Sequence, residues 1–298
     1  MAVTDALSFS ENVRRALEES RPVVALETSV VSHGLPAPWD ARAAEAIDRA
    51  VRDVGAEPAW VWTEGGRLRL GATEEDLARL TPDAAKVARR DLPAALASGA
   101  LGGTTVSATI WTAGRAGIEV AATGGIGGVH PGSGDVSADL AELARTPVTL
   151  VASGPKSILD PAATLERLEE LGVAVLGYRT DRLPFFFVRD SGLALEHRAE
   201  RPEDVAEVVR ARRALQMDGA LLVCNPIPEE AALDTFTVSE AAERCRARAN
   251  AEGVGGKALT PFLLNCMADV TDGATLEANL SLLEANARVA ASIAKLVK

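Results

Sequence analysis

Short apolar segments of strand type alternate with longer helical segments along the whole chain, and this alternation constrains the fold most. The apolar segments fall at 23–26, 59–63, 67–70, 120–123, from 148 to a Gly-Pro break, 173–176 and 220–224. This alternation is typical of a layered α/β protein. Segments 59–63 and 67–70 flank Glu64-Gly65-Gly66, which predicts a hairpin and therefore a mixed sheet. With no linker, repeat or low-complexity tract in sight, we expect one domain over residues 1–298. A last helix, 274–296, has an apolar stripe wide enough to pack on the sheet or on another subunit.

The overall charge limits the partners of the chain. It has 298 residues with 31 basic and 42 acidic side chains, a net charge of −11, and no basic stretch compensates for this. A nucleic acid backbone requires clustered lysine and arginine, so we expect no nucleic acid partner. A small phosphorylated ligand remains compatible, because about two or three local cations and backbone N–H groups suffice.

Cysteine usage and the amino terminus bear on the compartment. Cys224, Cys245 and Cys266 are odd in number and far apart, which fits neither a disulfide framework nor a CxxC metal site. We expect buried, unpaired thiols in a reducing compartment. Residues 1–20 are polar and charged, unlike a secretory signal, and no apolar run approaches the roughly 18 residues of a membrane span. These features predict a soluble, cytoplasmic protein with no membrane partner.

One lysine follows a predicted strand directly. The apolar run that begins at Val148 ends at Gly154-Pro155, and Lys156 comes next. Ligands of α/β proteins usually bind at strand ends. A lysine partly removed from water there can act as a neutral amine and form an imine with an electrophilic carbon. Lys156 is therefore a candidate covalent catalyst; the alternative is a surface lysine at the start of a helix.

A glycine-rich segment follows the predicted strand 120–123. Gly124-Gly125-Ile126-Gly127-Gly128 does not fit the GxGxxG pattern of dinucleotide-binding proteins, because the sixth position counted from Gly125 is His130. We expect the glycines to let backbone N–H groups approach an anion or the substrate. A purely structural tight turn is the alternative.

Three acidic side chains are candidates for chemistry. Glu27 ends the strand 23–26, where loss of water would raise its pKa and suit a general acid; a solvated strand end is the alternative. Asp135 and Asp139 flank Ser137, a suitable helix N-cap, so one acid there is electrostatically ordinary. The pair also offers oxygen ligands for Mg²⁺ or Mn²⁺, with water or substrate completing the shell. His33, in Ser32-His33-Gly34, is more simply explained as a hydrogen-bonded loop residue.

The densest cationic segment is Lys86-Val87-Ala88-Arg89-Arg90-Asp91. It could hold a phosphate, although Arg89 and Arg90 cannot both face one ligand from a regular element. An ordinary solvated surface is the alternative.

Taken together, these motifs resemble those of the pseudouridine-5′-phosphate glycosidase family, which includes the indigoidine-synthase-A-like proteins. The matching stretches occur in order over nearly the whole chain: 24–29, 32–36, Lys86 with 89–93, 103–106, 123–130, 135–140, 156–160, 225–230, Gly256-Lys257 with 260–264, and Asn279. The resemblance implies an α/β/α sandwich with a mixed, mostly parallel central sheet, a homotrimer, and cleavage of the C–C glycosidic bond of pseudouridine 5′-phosphate to uracil and ribose 5-phosphate.

The resemblance also implies roles for individual residues. Glu27 would be the proton donor, Lys156 the nucleophile that forms an imine with the ribose, and Asp135 the ligand of one Mn²⁺ per subunit. The implied substrate contacts are Lys86, Val106, Ser137, Ala138 and Asp139, with His130 and Asn279 lining the pocket.

The chain departs from the family pattern at three points. The loop 131–134 is shorter than the family leads us to expect, which bears on His130 and on phosphate contacts from that loop. Pro155 replaces a small or β-branched residue, which removes one backbone donor before Lys156, and Thr28-Ser29 replaces Ser-Thr. Alternative functions are another Schiff-base sugar-phosphate lyase, an indigoidine-pathway enzyme of the same family, and a non-catalytic phosphosugar-binding protein.

Overall fold

One eleven-stranded mixed sheet runs through residues 3–132 and 134–297, the part of the chain that the computed structural model describes. The strands are β1 Leu7–Phe9, β2 Val23–Glu27, β3 Glu57–Glu64, β4 Arg67–Leu70, β5 Ala85–Val87, β6 Gly102–Thr104, β7 Val120–Ala122, β8 Thr149–Ala152, β9 Ala174–Tyr178, β10 Arg198–Ala199 and β11 Leu221–Cys224. Their order is β1-β4-β3-β2-β7-β8-β11-β9-β10, with β6 also paired to β3 and β5 to β6. The pairs β3–β4 and β3–β6 are antiparallel and the other pairs are parallel.

Helices cover both faces of this sheet. They are α1 Val3–Ala6, α2 Glu11–Glu18, α3 Trp39–Asp53, α4 Glu74–Ala78, α5 Leu92–Ser98, α6 Val106–Arg115, α7 Ala138–Leu143, α8 Pro161–Glu170, α9 Pro202–Ala214, α10 Thr235–Glu252, α11 Leu259–Val270 and α12 Ala274–Ala294, with short 3₁₀ or π turns at Val30–Gly34, Arg89–Asp91, Glu229–Ala231 and Gly256–Ala258. No helix in these described residues combines the length and apolarity that a membrane crossing requires.

Successive residues of the central strands enter two separate cores. In β2, Val24 and Leu26 pack into the core that includes α3 and α12, whereas Val23 and Ala25 pack into the core that includes α2 and α6. This alternation follows from the two-residue period of a strand. The predicted α/β/α sandwich is confirmed, and the apolar stripe of α12 packs on the sheet, for example through the buried Leu282.

Four of the described strands escaped the sequence analysis: β1 and β10 have only three and two residues, and β5 and β6 lack apolar alternation. Strand β6 contains Gly102 and Gly103, and β5 carries Lys86. A Cβ on Gly102 would lie 2.6 Å from Val87 Cγ2, so glycine allows the close approach of β5 and β6. This pairing fixes Lys86 beside the end of β2. Met1, Ala2 and Ser133, which belong to the amino-terminal and 131–134 loop expectations, lie outside the described residues.

The expectation of three unpaired cysteines was wrong. Cys245 on α10 and Cys266 on α11 form a disulfide with an S–S distance of 2.10 Å. The two residues are 21 positions apart in sequence, and they meet because α10 packs against α11. Cys224 is free and buried as expected, and its burial raises the pKa of the thiol to about 12.

Candidate active site

A cavity of about 200 Å³ opens at the carboxyl ends of β2 and β7, and a side chamber of about 40 Å³ adjoins it. Both spaces are lined by Glu27, Ser29, Lys86, Lys156 and Thr260. Most of the predicted site residues also line them: His130, Asp135, Ser137, Ala138 and Asp139 in the main cavity and Asn279 in the chamber. The topology therefore brings together residues that are spread over most of the sequence.

Glu27 is a buried carboxyl group held by two hydroxyl groups. Its side chain is 5% exposed, Ser29 Oγ donates to Oε1, and Thr123 Oγ1 donates to Oε2 at 2.5 Å. Burial raises the pKa of Glu27, the charge of Lys156 and the two hydroxyl groups oppose that rise, and Asp139 adds to it. The net shift is upward, so Glu27 retains a proton at higher pH than an exposed glutamate, as a general acid requires.

Lys156 is half-buried in the same cavity, and the glycine-rich segment holds its backbone. Ile126 N donates to Gly154 O at 3.0 Å and Lys156 N donates to Ile126 O at 3.1 Å. Gly154 has a φ of +74°, and a Cβ there would collide with the carbonyl oxygen of Pro184. Ile126 is thus hydrogen-bonded to the residues on both sides of Pro155. The backbone of Lys156 is therefore held in place although Pro155 has no N–H group to donate.

A second amine stands beside Lys156. Burial lowers the pKa of Lys86, and the positive charges of Lys156 and Lys257 lower it further, while Glu27 and Asp139 oppose this. Burial likewise lowers the pKa of the half-buried His130. The cavity thus contains a protonatable carboxyl group and amines crowded by like charge, a combination common at functional sites.

Asp139 uses both carboxylate oxygens to hold the cavity wall. Oδ1 accepts from Ser107 N at 2.9 Å and Oδ2 accepts from Gly127 N at 3.0 Å. Ser137 caps α7, since its Oγ accepts from Asp139 N at 3.2 Å. The backbone N–H of Gly127, which the sequence analysis expected to face an anion or the substrate, therefore donates to the carboxylate of Asp139.

The other glycines of this segment are required by close packing. A Cβ on Gly125 would lie 2.6 Å from Phe186 Cδ2, and one on Gly128 would overlap Thr164. None of the glycines at 124–128 has a positive φ. The segment therefore owes its composition to tight contacts, and this supports the structural alternative more than an anion cradle.

Asp135 is exposed at the edge of the cavity, and its carbonyl accepts from His130 N at 2.9 Å. Among residues 3–132 and 134–297, no group of three His, Cys, Asp or Glu side chains could hold a metal ion. Both oxygens of Asp139 accept backbone N–H groups, and Asp135 is the residue to which the family resemblance assigned the cation. The donor set fits Mg²⁺ or Mn²⁺ only when water and substrate oxygens complete the shell, as is common beside phosphates.

The remaining predicted residues have mixed positions. The Val106 side chain is 1% exposed in the core, although its neighbours Thr105 and Ser107 line the cavity. His33 bonds through its ring to Ala84 O at 3.0 Å and to Ser32 Oγ at 2.7 Å, as the loop interpretation expected. Arg89 turns away from the cavity to Glu142, at 3.1 Å.

Several residues of the site received no role from the sequence: Ser29, Thr123, Ser107, Lys257 and Asn286. Ser29 and Thr123 lie just beyond the ends of the adjacent parallel strands β2 and β7, a position that could have identified them. Asn286 is fully buried on α12 and its Nδ2 donates to Thr123 O at 2.9 Å. A single asparagine in an apolar stripe gave no comparable signal.

The chain belongs to the indigoidine synthase A-like family, whose sequence model ("Indigoidine synthase A like protein") matches residues 12–296. A pseudouridine-5′-phosphate glycosidase of Symbiobacterium thermophilum is 49% identical over 98% of this chain and 98% of its own length. Its counterpart from Caldanaerobacter subterraneus is 47% identical over 97% of this chain and 95% of its own length. The family resemblance found in the motifs is confirmed.

Two solved structures share the fold. An indigoidine synthase A-like protein of Thermotoga maritima superposes with a TM-score of 0.89 at 38% identity, covering 97% of this chain and 95% of the other. The prealnumycin C-glycosynthase AlnA, in complex with ribulose 5-phosphate, gives a TM-score of 0.88 at 38% identity, with coverage of 98% and 96%.

Proposed function

We propose that the chain is a pseudouridine-5′-phosphate glycosidase that cleaves the C–C glycosidic bond of its substrate to give uracil and ribose 5-phosphate. One observation carries the proposal: the buried carboxyl group of Glu27 and the amine of Lys156 line one cavity. The names of full-length relatives at 47% to 49% identity support the same activity.

The lysine answers a problem specific to this bond. An ordinary glycosidase protonates a leaving oxygen, but here the sugar is joined to carbon. Once the ribose ring has opened, Lys156 Nζ attacks C1′ and forms a C–N bond. The C1′–C5 bond then breaks, its electron pair returns to the uracil ring, and the nitrogen lone pair completes an imine. Water adds to the imine carbon and releases ribose 5-phosphate.

These steps require two protons: Glu27 donates one, and the nitrogen of Lys156, which must lose a proton once the C–N bond has formed, returns one to the site. Ring opening creates an alkoxide at the former ring oxygen, and departure of the base requires a proton on uracil C5. A carboxyl group with a raised pKa suits either donation, and the hydroxyl groups of Ser29 and Thr123 fix its orientation.

Residues of the cavity wall would bind the oxygen atoms of the substrate. The amine of Lys86 and the amino-terminal residues of α7, including Ser137, Ala138 and the anchored Asp139, face the same space. Asp135 would hold Mn²⁺, which when bound supplies positive charge to substrate oxygens.

The direct test is incubation with pseudouridine 5′-phosphate and Mn²⁺, with free uracil measured by chromatography. Borohydride added during turnover reduces an imine to a stable amine, so peptide mass spectrometry should find a ribose-phosphate adduct on Lys156. Uracil release with no adduct would argue for a different mechanism; neither uracil nor adduct would remove the proposed activity.

The metal proposal has its own test. Asp135→Ala should leave weak activity that requires much more Mn²⁺, with folding unchanged because Asp135 is exposed. Calorimetric titration of Mn²⁺ into both proteins gives a readout that does not depend on turnover. Equal Mn²⁺ affinity in the two would assign the cation to other ligands.

The likeness to AlnA favours a second candidate, a C–C lyase or synthase that acts on another sugar phosphate through the same imine. Run in reverse, the steps above would join a base to a sugar phosphate. Assaying uracil release beside aldol cleavage of a ketose phosphate separates the candidates, because each product appears in only one reaction. A chain that binds the sugar phosphates without either product would be a phosphosugar-binding protein.

The proposal also covers the oligomeric state and the cellular location of the protein. We propose a homotrimer, which light scattering would detect as three times the chain mass of 31.1 kDa. We also propose a cytoplasmic location, which cell fractionation would test.

A further inference from the structure

Lysine is rare in this chain, and most of its lysines lie at the cavity. Only 5 of its 31 basic residues are lysines. Three of the five, Lys86, Lys156 and Lys257, line the one cavity of about 200 Å³. The compact ammonium group is a point charge that binds phosphate without the planar geometry of arginine. Lys86 and Lys156 have roles in the proposed reaction, whereas Lys257 has none so far.

Lys257 spans the rim between two distant parts of the chain. It lies in the turn Gly256–Ala258, before α11, and its Nζ donates to Asp91 Oδ2 at 2.8 Å and to Lys86 O at 3.2 Å. Its side chain is 49% exposed, and Lys257 lines the cavity. Lys257 therefore clamps the strand that carries Lys86.

Arg90 approaches the same carboxylate from its other oxygen. Arg90 Nε lies 3.9 Å from Asp91 Oδ1, and Arg90 also lines the cavity. Asp91 Oδ2 additionally accepts from Ala88 N at 3.0 Å, so the carboxylate is held in place. The three cations Lys86, Arg90 and Lys257 outnumber the two anions at the rim, Asp91 and Asp135. The rim therefore has a net positive charge, which favours a phosphate monoester with its charge of about −1.5 to −2 at neutral pH.

We propose that Lys257 and Arg90, held by Asp91, recognise the phosphate group of the substrate and so select phosphorylated over free nucleosides and sugars. This inference rests on the proposed function. The phosphate shares Lys257 with Asp91, next to the link that Lys257 already makes between the turn before α11 and the strand that carries Lys86. Lys257 and Arg90 determine specificity in this scheme; they do not touch the reacting carbon.

The test compares Lys257→Gln and Arg90→Gln with the conservative Lys257→Arg and the matched control Lys295→Gln, an exposed lysine at the end of α12. Affinity for ribose 5-phosphate and for uracil, which has no phosphate, is measured by calorimetry, and KM and kcat for pseudouridine 5′-phosphate by uracil release. Loss of a charge-assisted contact should weaken ribose 5-phosphate binding and raise KM about tenfold or more. Uracil affinity should stay within about twofold, Lys257→Arg should restore most of the loss, and Lys295→Gln should match the wild type.

The outcomes separate this inference from the proposed function. Unchanged ribose 5-phosphate affinity in Lys257→Gln and Arg90→Gln would overturn the recognition role, even in an active enzyme. Equal losses for ribose 5-phosphate and uracil would also overturn it, because they indicate a structural effect. A wild-type protein that releases no uracil, yet loses ribose 5-phosphate affinity in Lys257→Gln, would retain the phosphate site and lose the proposed reaction.

Discussion

The active-site cavity and a second concave surface both lie at carboxyl ends of the sheet strands, and α12 contributes to both. Asn279 of α12 faces the side chamber of the cavity, whereas Arg288 lines a groove beside β9 and β11. The groove, at about 660 Å³, is larger than the cavity, at about 200 Å³. It also carries more arginines, including Arg179 and Arg189.

The difference between the two lies in burial. In the groove, Arg288 pairs with Glu284 at 3.1 Å, and Arg189 donates to Ile227 O. Arg288 and Glu284 are 45% and 35% exposed, so water screens their charges. In the cavity, Glu27 is removed from water beside Lys156, and its pKa is raised. Reactivity follows desolvation and charge crowding rather than the volume of a concave surface.

Among the substitutions that test this difference, Lys156→Arg should have the largest effect on uracil release. The charge is retained, but a guanidinium group cannot form the imine, so uracil release should fall by at least about 10⁴-fold. Borohydride should then leave the protein mass unchanged. Since Lys156 is half-buried at the cavity, circular dichroism should show a native fold. Residual activity above a hundredth of wild type would mean that the amine is not the nucleophile.

Glu27→Gln should lower uracil release by about 10²- to 10³-fold, because the proton donor is lost. The stability effect has the opposite sign. The folded protein holds the Glu27 proton more tightly than the unfolded chain, so wild-type stability falls as pH rises from the ordinary glutamate pKa through the raised one. Glu27→Gln removes this pH-dependent loss of stability, because glutamine does not ionise.

The melting temperature of Glu27→Gln should therefore exceed that of the wild type above this pH window, and the two should converge at acidic pH. Melting curves between pH 4 and pH 8 provide the check. A variant that melts lower than the wild type at pH 8 would show that ionised Glu27 is stabilised in the fold.

The sequence predicted what depends on local pattern. Glu27 and Lys156 follow apolar strands, and parallel strands bring their carboxyl ends to one edge of a sheet. Contacts that depend on distant pairing were beyond this reasoning. Lys257 donates to Lys86 O across 171 positions of sequence, because the pairing of β5 with β6 places Lys86 near Lys257. The two glycines of β6 gave no strand pattern from which this pairing could have been predicted. The Cys245–Cys266 disulfide likewise depends on the packing of two helices whose contact leaves no local pattern.

Asp139→Asn should have an intermediate effect, by weakening the cavity wall. Asparagine has one carboxamide oxygen, so either Ser107 N or Gly127 N loses its acceptor and faces an amide N–H₂ group. An unsatisfied buried donor costs about 1–3 kcal/mol, and uracil release should fall about tenfold as the wall loosens. Denaturant unfolding measures the first effect. The control is Asp190→Asn, an exposed aspartate that accepts from Gly192 N at 2.7 Å, which should lose less on both counts.

Arg288→Gln should have the smallest effect and is the sharpest test of the division between cavity and groove. The variant breaks an exposed i,i+4 ion pair with Glu284, which costs about 0.3–0.5 kcal/mol. Because α12 also carries Asn279 and Asn286, a helix that transmitted strain from the groove would change KM or kcat. We expect kcat/KM for uracil release to stay within about twofold. A tenfold change without a matching loss of stability would mean that the groove takes part in the function, and that burial alone does not separate the two surfaces.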